Sequence, residues 1–177
     1  MKSVDDIVSE IDCIPDSIFN KNLRDWLVNS FKKKVAALKP KRLYISKDFR
    51  VAITNEIVNG VQTTKLVKEL RAVSVFLLTN NLLFEFRLEE RRPEELNSQE
   101  SVDGGRKDLK RARYDCVNIN TIKRLNITRL DDAFVLELDH SLSFGTYRTI
   151  IKARTEDELK EIVDLEEYVL KIIEEGK

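Results

Sequence analysis

The chain reads as an α+β domain: an antiparallel β-barrel or sandwich closed by a C-terminal helix and preceded by a helical N-terminal extension. Three observations predict it. Before Pro40 and after Thr155 the apolar residues recur at spacings of three and four, the helical period. Between those points they alternate, the period of a strand whose successive side chains leave on opposite faces. A single charged stretch, residues 89–113, interrupts the alternation; fourteen of its twenty-five residues are charged, too many to pack a core, so it reads as a loop. The organisation expected is a helical extension over 1–40 and a β domain over 41–177, with the charged loop at 89–113 and a capping helix at 155–175. With 177 residues, 42% of them hydrophobic, the chain is long and apolar enough to build a core without disulfides or metals.

In order along the chain, Val4 to Ile11 suits a short helix. From Asp16 to Leu38, Phe19, Leu23, Trp26, Leu27, Phe31, Val35 and Leu38 form the apolar stripe of a longer one. Pro15 and Asp16 supply its start, lysines gather near its end where the dipole favours cations, and Pro40 stops it. Arg50 to Val58 reads as a strand, and Val61 to Leu70 fits either a strand or a short helix. Val73 to Leu78 is apolar on both sides, whereas in "LLFEFRL" Leu82, Phe84, Phe86 and Leu88 share one face opposite Leu83, Glu85 and Arg87. Asn80-Asn81 between them is expected to take the positive φ of a tight hairpin turn. "CVNINTIKRLNIT" alternates for too long to be one straight strand, and a bend is expected near Asn120 to Lys123. "AFVLELD" and "TYRTIIKA" make another hairpin through "HSLSFG". The closing helix opens on a capping box, Thr155 and Glu158, and ends at Gly176.

"VFLLTNNLLFEF" resembles the segment of prokaryotic pleckstrin-homology and GRAM-type domains in which a strand ends in Leu-Thr, turns and returns through an apolar pair. "YDCVNINTIKRLNI" is similar to the strand that follows in those families, and "YRTIIKARTEDELKEIVDLEEYV" to their last strand running into the capping helix. The resemblance spans Leu43 to Glu174. It implies a pleckstrin-homology-like barrel used as a scaffold for binding, commonly of proteins.

Nothing in the sequence calls for catalysis. His140 is the single histidine, expected in a hairpin loop, and its neighbours Asp139 and Ser141 cannot form a triad with it on an extended segment. Cys13 and Cys116 stand alone, without metal-ligand spacing, and the five glycines do not combine into a phosphate-cradling loop. No enzyme, cofactor, metal or small-molecule substrate is expected. The N-terminus carries acids where a signal peptide needs a basic start and an apolar run, and no stretch approaches a membrane span, so the reading is a cytoplasmic protein.

Two binding functions remain, and they differ in partner. Lys21 to Arg50 holds ten basic residues against two acids, while Thr155 to Lys177 holds nine acids against three lysines. Lys32, Lys33, Lys34, Lys39, Lys41 and Arg42, with Arg106, Lys107, Lys110, Arg111 and Arg113 of the charged loop, are candidates to bind an anionic membrane or a nucleic acid; the acidic closing helix could instead neutralise them. The function favoured is a protein-interaction scaffold, with Trp26 and Phe31 of the N-terminal helix as candidate docking residues if their face is exposed. A homodimer stays open.

Overall fold

The computed structural model describes residues 2–91, 109–130, 132–143 and 145–175. Among them are helices α1 (Val4–Asp12), α2 (Lys21–Leu38) and α3 (Glu156–Glu175). Seven strands lie between α2 and α3: β1 (Arg42–Val58), β2 (Val61–Leu78), β3 (Leu82–Glu90), β4 (Lys110–Asn118), β5 (Ile122–Leu130), β6 (Ala133–Leu142) and β7 (Gly145–Ala153). They form two antiparallel sheets, β1-β2-β3-β4 and β5-β6-β7, facing each other as an open sandwich. One 3-10 turn, Ile119–Thr121, carries the chain from the first sheet to the second, where the bend was expected. Val61 to Leu70, open by period alone, is the first half of β2.

The four-stranded sheet is buried on both faces. On one face Ile45, Val73, Val75, Leu77, Phe84, Phe86 and Leu88 pack against Ile7, Ile11, Phe19, Leu27 and Phe31 from α1, α2 and their connection. On the other, Tyr44, Phe76, Leu78 and Leu83 meet Leu136, Leu138, Ile151 and Ala153 of the second sheet, with Ile162, Leu165 and Val169 of α3 closing the end. The N-terminal helices are therefore a covering layer sharing a core with the strands. Phe31, a candidate docking residue, has no exposed surface. Trp26, the other, is half-buried against the same core. Neither offers a free docking face, because the doubly apolar strand β2 needs α2 as its cover.

Local chemistry sets the element ends. Ser3 and Asp6 cap α1 reciprocally, the Ser3 Oγ accepting from Asp6 N at 3.1 Å and the Asp6 carboxylate accepting from Ser3 N at 2.9 Å. Helix α2 begins five residues later than Pro15-Asp16 suggested, at Asn20, whose Oδ1 accepts from Leu23 N at 3.0 Å. The guanidinium of Arg24 holds the preceding segment as a loop, donating to the carbonyls of Asp12 and Ile14 and pairing with Asp16. Lys39, left-handed at φ 47°, ends α2 before Pro40, and no basic residue lies in the last turn proper. The capping box of α3 forms as expected: Glu158 N donates to Thr155 Oγ1 and Thr155 N to the Glu158 carboxylate, each at 3.2 Å.

The hairpin turns differ from expectation. Asn80 and Asn81 do not take positive φ; among the described non-glycine residues only Lys39 and Asn59 do. The β2–β3 turn is closed instead by Thr79, whose N donates to Leu82 O at 2.9 Å and whose hydroxyl accepts from Leu82 N at 3.0 Å. The tight turn with two left-handed residues is Asn59-Gly60, φ 52° and 79°, joining β1 to β2 with Val58 opposite Val61.

Removing the Phe31 ring leaves a void between α2 and the sheet, so Phe31→Ala should cost about 3–5 kcal/mol of unfolding free energy. Urea titration followed by circular dichroism reads this, and a cost under about 1 kcal/mol would show that the helical layer unfolds apart from the sheets.

Candidate functional site

The charged flanks of 89–113 are strand rather than loop. Glu89 pairs in register with Arg111, Glu90 with Lys110 and Arg87 with Arg113, so β3 and β4 continue through residues that looked too polar to fold. Glu89 and Glu90 face Arg111 and Lys110 across the ladder, and the like pair Arg87 and Arg113 is balanced by Glu89 and Asp115 along the strands, which is why charge does not end it. Arg106 and Lys107 lie outside the described residues.

On the sandwich side of these strands the interior turns polar. Glu85, 6% exposed, accepts from Ser74 Oγ at 2.7 Å and from Tyr147 Oη at 3.3 Å, with Arg87 at 3.5 Å and Arg113 at 3.9 Å. Burial pushes the Glu89 carboxyl up, but hydrogen bonds from Arg87 and Arg111 outweigh it and hold the group below the usual carboxylate range. Arg113 pairs with Asp115 at 2.6 Å, Arg148 with Asp139 at 2.5 Å and Lys152 with Asp48 at 2.5 Å. The slot among them, about 210 Å³, is lined by both signs of charge, paired along a strand, between neighbouring strands or, as Lys152 with Asp48, between the sheets. Its chemistry is that of a structural ion network.

The candidate anion-binding residues are consequently dispersed. Arg111 and Arg113 are neutralised in this network, and Lys110 donates to Ser17 O at 2.7 Å. Lys34 lies over the rings of Phe84 and Tyr114, 5.2 and 5.6 Å from their centroids. Arg42 stacks on Tyr168 and pairs with Asp164 of the acidic helix at 2.9 Å. Lys32, Lys33, Lys39 and Lys41 are exposed and make no ion pair among the described residues. Among the described residues four lysines of the basic patch stay unpaired, and only Lys41 of them lines the groove beside Arg42 and Tyr168.

His140 sits in β6, not in a hairpin loop, and is fully buried. Thr121 spends its proton on Asn118 O at 2.6 Å, which makes the His140 Nδ1–H the donor to Thr121 Oγ1 at 3.2 Å; Thr149 Oγ1 lies 3.2 Å from Nε2. Burial holds the imidazole below its ordinary value, against the pull of Asp139.

The feature that sequence reasoning missed is a β-ribbon. Strand β3 pairs with β2 only over Ala72–Leu78, yet β1 and β2 pair on to Val58 and Val61. From Phe49 and Leu70 outward they form a two-stranded arm. Cross-strand partners share a face, so Val51, Ile53, Ile57 and Leu66 fall on one side of it, the side continuous with Phe49 and Leu70. They are 63%, 69%, 78% and 68% exposed, the most open large apolar residues described. At the base of the arm lies a groove of about 640 Å³, bounded by Ile14, Pro15 and Ile18 on one side and Phe49 and Leu70 on the other. Lys68 pairs with Asp132 and Arg50 with Glu69 at 3.1 Å, anchoring the arm to the body and pinning its two strands together.

No family model, curated protein or solved structure matches the chain.

Two predictions test the electrostatic part. Glu85→Ala removes the acceptor of the Ser74 and Tyr147 hydroxyls, while Arg87 and Arg113 keep Glu89 and Asp115, and should cost about 1–3 kcal/mol; no measurable cost in urea titration would mean that water enters the slot freely. Because the His140 pKa is depressed on folding, the unfolded chain binds a proton that the native one refuses. Stability is complete above the unfolded value of about 6.5 and falls as pH drops below it towards the folded pKa. His140→Gln should flatten this dependence between about pH 7.5 and about pH 5; equal slopes in variant and parent would assign the acid lability to other groups.

Proposed function

We propose that the protein is a non-enzymatic binding module whose principal role is protein docking, on a scaffold of pleckstrin-homology type. The order of four strands, three strands and a closing helix supports the scaffold reading. The locking of the one histidine between two threonines inside the sandwich supports a role other than acid–base catalysis.

One observation carries the docking reading: the ribbon exposes Val51, Ile53, Ile57 and Leu66 on a single face. A two-stranded ribbon is marginal in water on its own, and a contiguous exposed apolar strip is rare on a chain that functions alone. Its charges are nearly balanced, Arg50, Lys65 and Lys68 against Glu56 and Glu69, which suits a protein surface better than a phosphate-rich one. Peripheral binding to anionic lipid or nucleic acid through Lys32, Lys33, Lys39 and Lys41 is the second reading, favoured by their exposure.

A photoreactive phenylalanine analogue at Ile53, introduced in cells of the source organism, should yield discrete protein adducts that the same analogue at Lys123, on β5, does not. Vesicles containing anionic lipid should fail to float the purified protein at moderate salt. Salt-sensitive flotation lost on replacing the four lysines, with no adducts from position 53, would replace the docking reading by the anionic one.

A further inference from the structure

Resting on the ribbon as the docking surface, the structure points to its occupant: we infer that the apolar face of the arm packs against the same face of a second copy of this chain, antiparallel and about a two-fold axis through Ile53.

The spacing of the apolar residues is what selects a second copy. A two-fold pairing centred at residue 53 sets residue i against residue 106 minus i, so Phe49 at the base meets Ile57 at the tip of the other arm, and Ile53 meets Ile53. On β2 the same axis passes at Leu66, the register partner of Ile53, and Leu70 meets Gln62 of the second copy. The same axis sets Val51 opposite Asn55 and Lys68 opposite Thr64, so the strip pairs apolar with polar side chains at Val51 and Leu70 but brings no like charges together. An isologous contact needs a surface complementary to itself, and the pairs Phe49–Ile57, Ile53–Ile53 and Leu66–Leu66 supply its apolar part. The tip, with Ile57, 78% exposed, would lie against the other copy's basal groove, where Ile14, Pro15, Ile18, Phe49 and Leu70 sit among charged residues that include Glu10, Lys47 and Lys110. Charge is compatible, because Arg50 and Lys68 already have partners within the chain in Glu69 and Asp132, and Lys65 stands 4.0 Å from Glu56.

The size of the contact fixes its strength. The eight steps from Phe49 to Ile57, at about 3.4 Å each, make the strip about 27 Å long, and two strands make it about 10 Å wide, or about 270 Å² of flat face per copy. A standard stable interface takes about 800 Å² per partner, so even with the basal groove added the association belongs to the weak class. Self-association is therefore expected at micromolar to millimolar concentrations.

Sedimentation velocity of the full chain from about 10 µM to about 1 mM tests this range. The expected result is a reversible monomer–dimer equilibrium, abolished by Ile53→Lys, which sets two ammonium groups together on the axis. Since Ile53 is mostly exposed, this variant should unfold at the parent's urea midpoint. In a background of Cys13→Ser and Cys116→Ser, Ile53→Cys should oxidise to a disulfide-linked dimer, whereas Glu56→Cys, on the opposite face of the same strand, should not. A chain monomeric throughout, or a dimer unaffected by Ile53→Lys, overturns the inference. A monomer whose position 53 still yields adducts with other proteins leaves ribbon docking standing with a different occupant; a monomer without adducts removes both.

Discussion

Strand β2 between Ala72 and Leu78 has to hide two faces at once. Val73, Val75 and Leu77 point one way, Ala72, Phe76 and Leu78 the other, and all six are essentially without exposed surface. Burying a large aliphatic or aromatic side chain contributes about 1.5–3 kcal/mol, so leaving either face to water would forfeit much of the stability of an ordinary domain. The second sheet and α3 cover one side; α1 and α2 cover the other. Capping by Asn20, the carbonyl clamp of Arg24 and the left-handed stop at Lys39 serve to aim α2 along that second face.

Once β2 is sandwiched, the remaining surface divides in two. Alongside its Ser74 the interior cannot be apolar, because Glu85 and Arg87 enter it from β3, and the molecule meets the cost with partners from β4 and β7. A half-completed network of this kind would be worse than none. Past Ala72 the opposite occurs: β3 ends, the helices end, and β1 and β2 continue with side chains suited to burial and nothing to bury them.

Much of this was legible in the residues, and the failures have identifiable causes. Period separated helices from strands, and the bend at Ile119–Thr121 and the α3 capping box followed from sequence. The turn at Asn59-Gly60 also carried a clear signal, the Asn-Gly pair between apolar runs, yet Asn80-Asn81 resembles it and Thr79 closes that second turn by a hydroxyl mechanism that sequence pattern does not distinguish. Glu85 and Arg87 carry no sign in the sequence that their face is interior, because charge usually means water; here Ser74, Arg113 and Tyr147 of other strands partner Glu85, and Glu89 partners Arg87. The same holds for Arg111 and Arg113, read as free for an anion and found among carboxylates. The ribbon was invisible for a simpler reason. Alternation shows that a segment is a strand, but not whether a third strand lies beside it.

The ladder between β1 and β2 contains one irregularity, where Asp48 faces Ala72 and Phe49 faces Leu70, with Arg71 the extra residue between them. A bulge of this kind bends its strand and increases local twist. It also means that Leu66, which simple alternation along β2 would set on the same face as Phe76, comes to lie beside Ile53. Deleting Arg71 would restore one-to-one pairing and keep every arm residue on its present side, while altering the angle at which the arm leaves the body. Which residues the arm presents and where it points are thus encoded separately. A lineage, or an engineer, could re-aim it by that single deletion without rewriting its contact face.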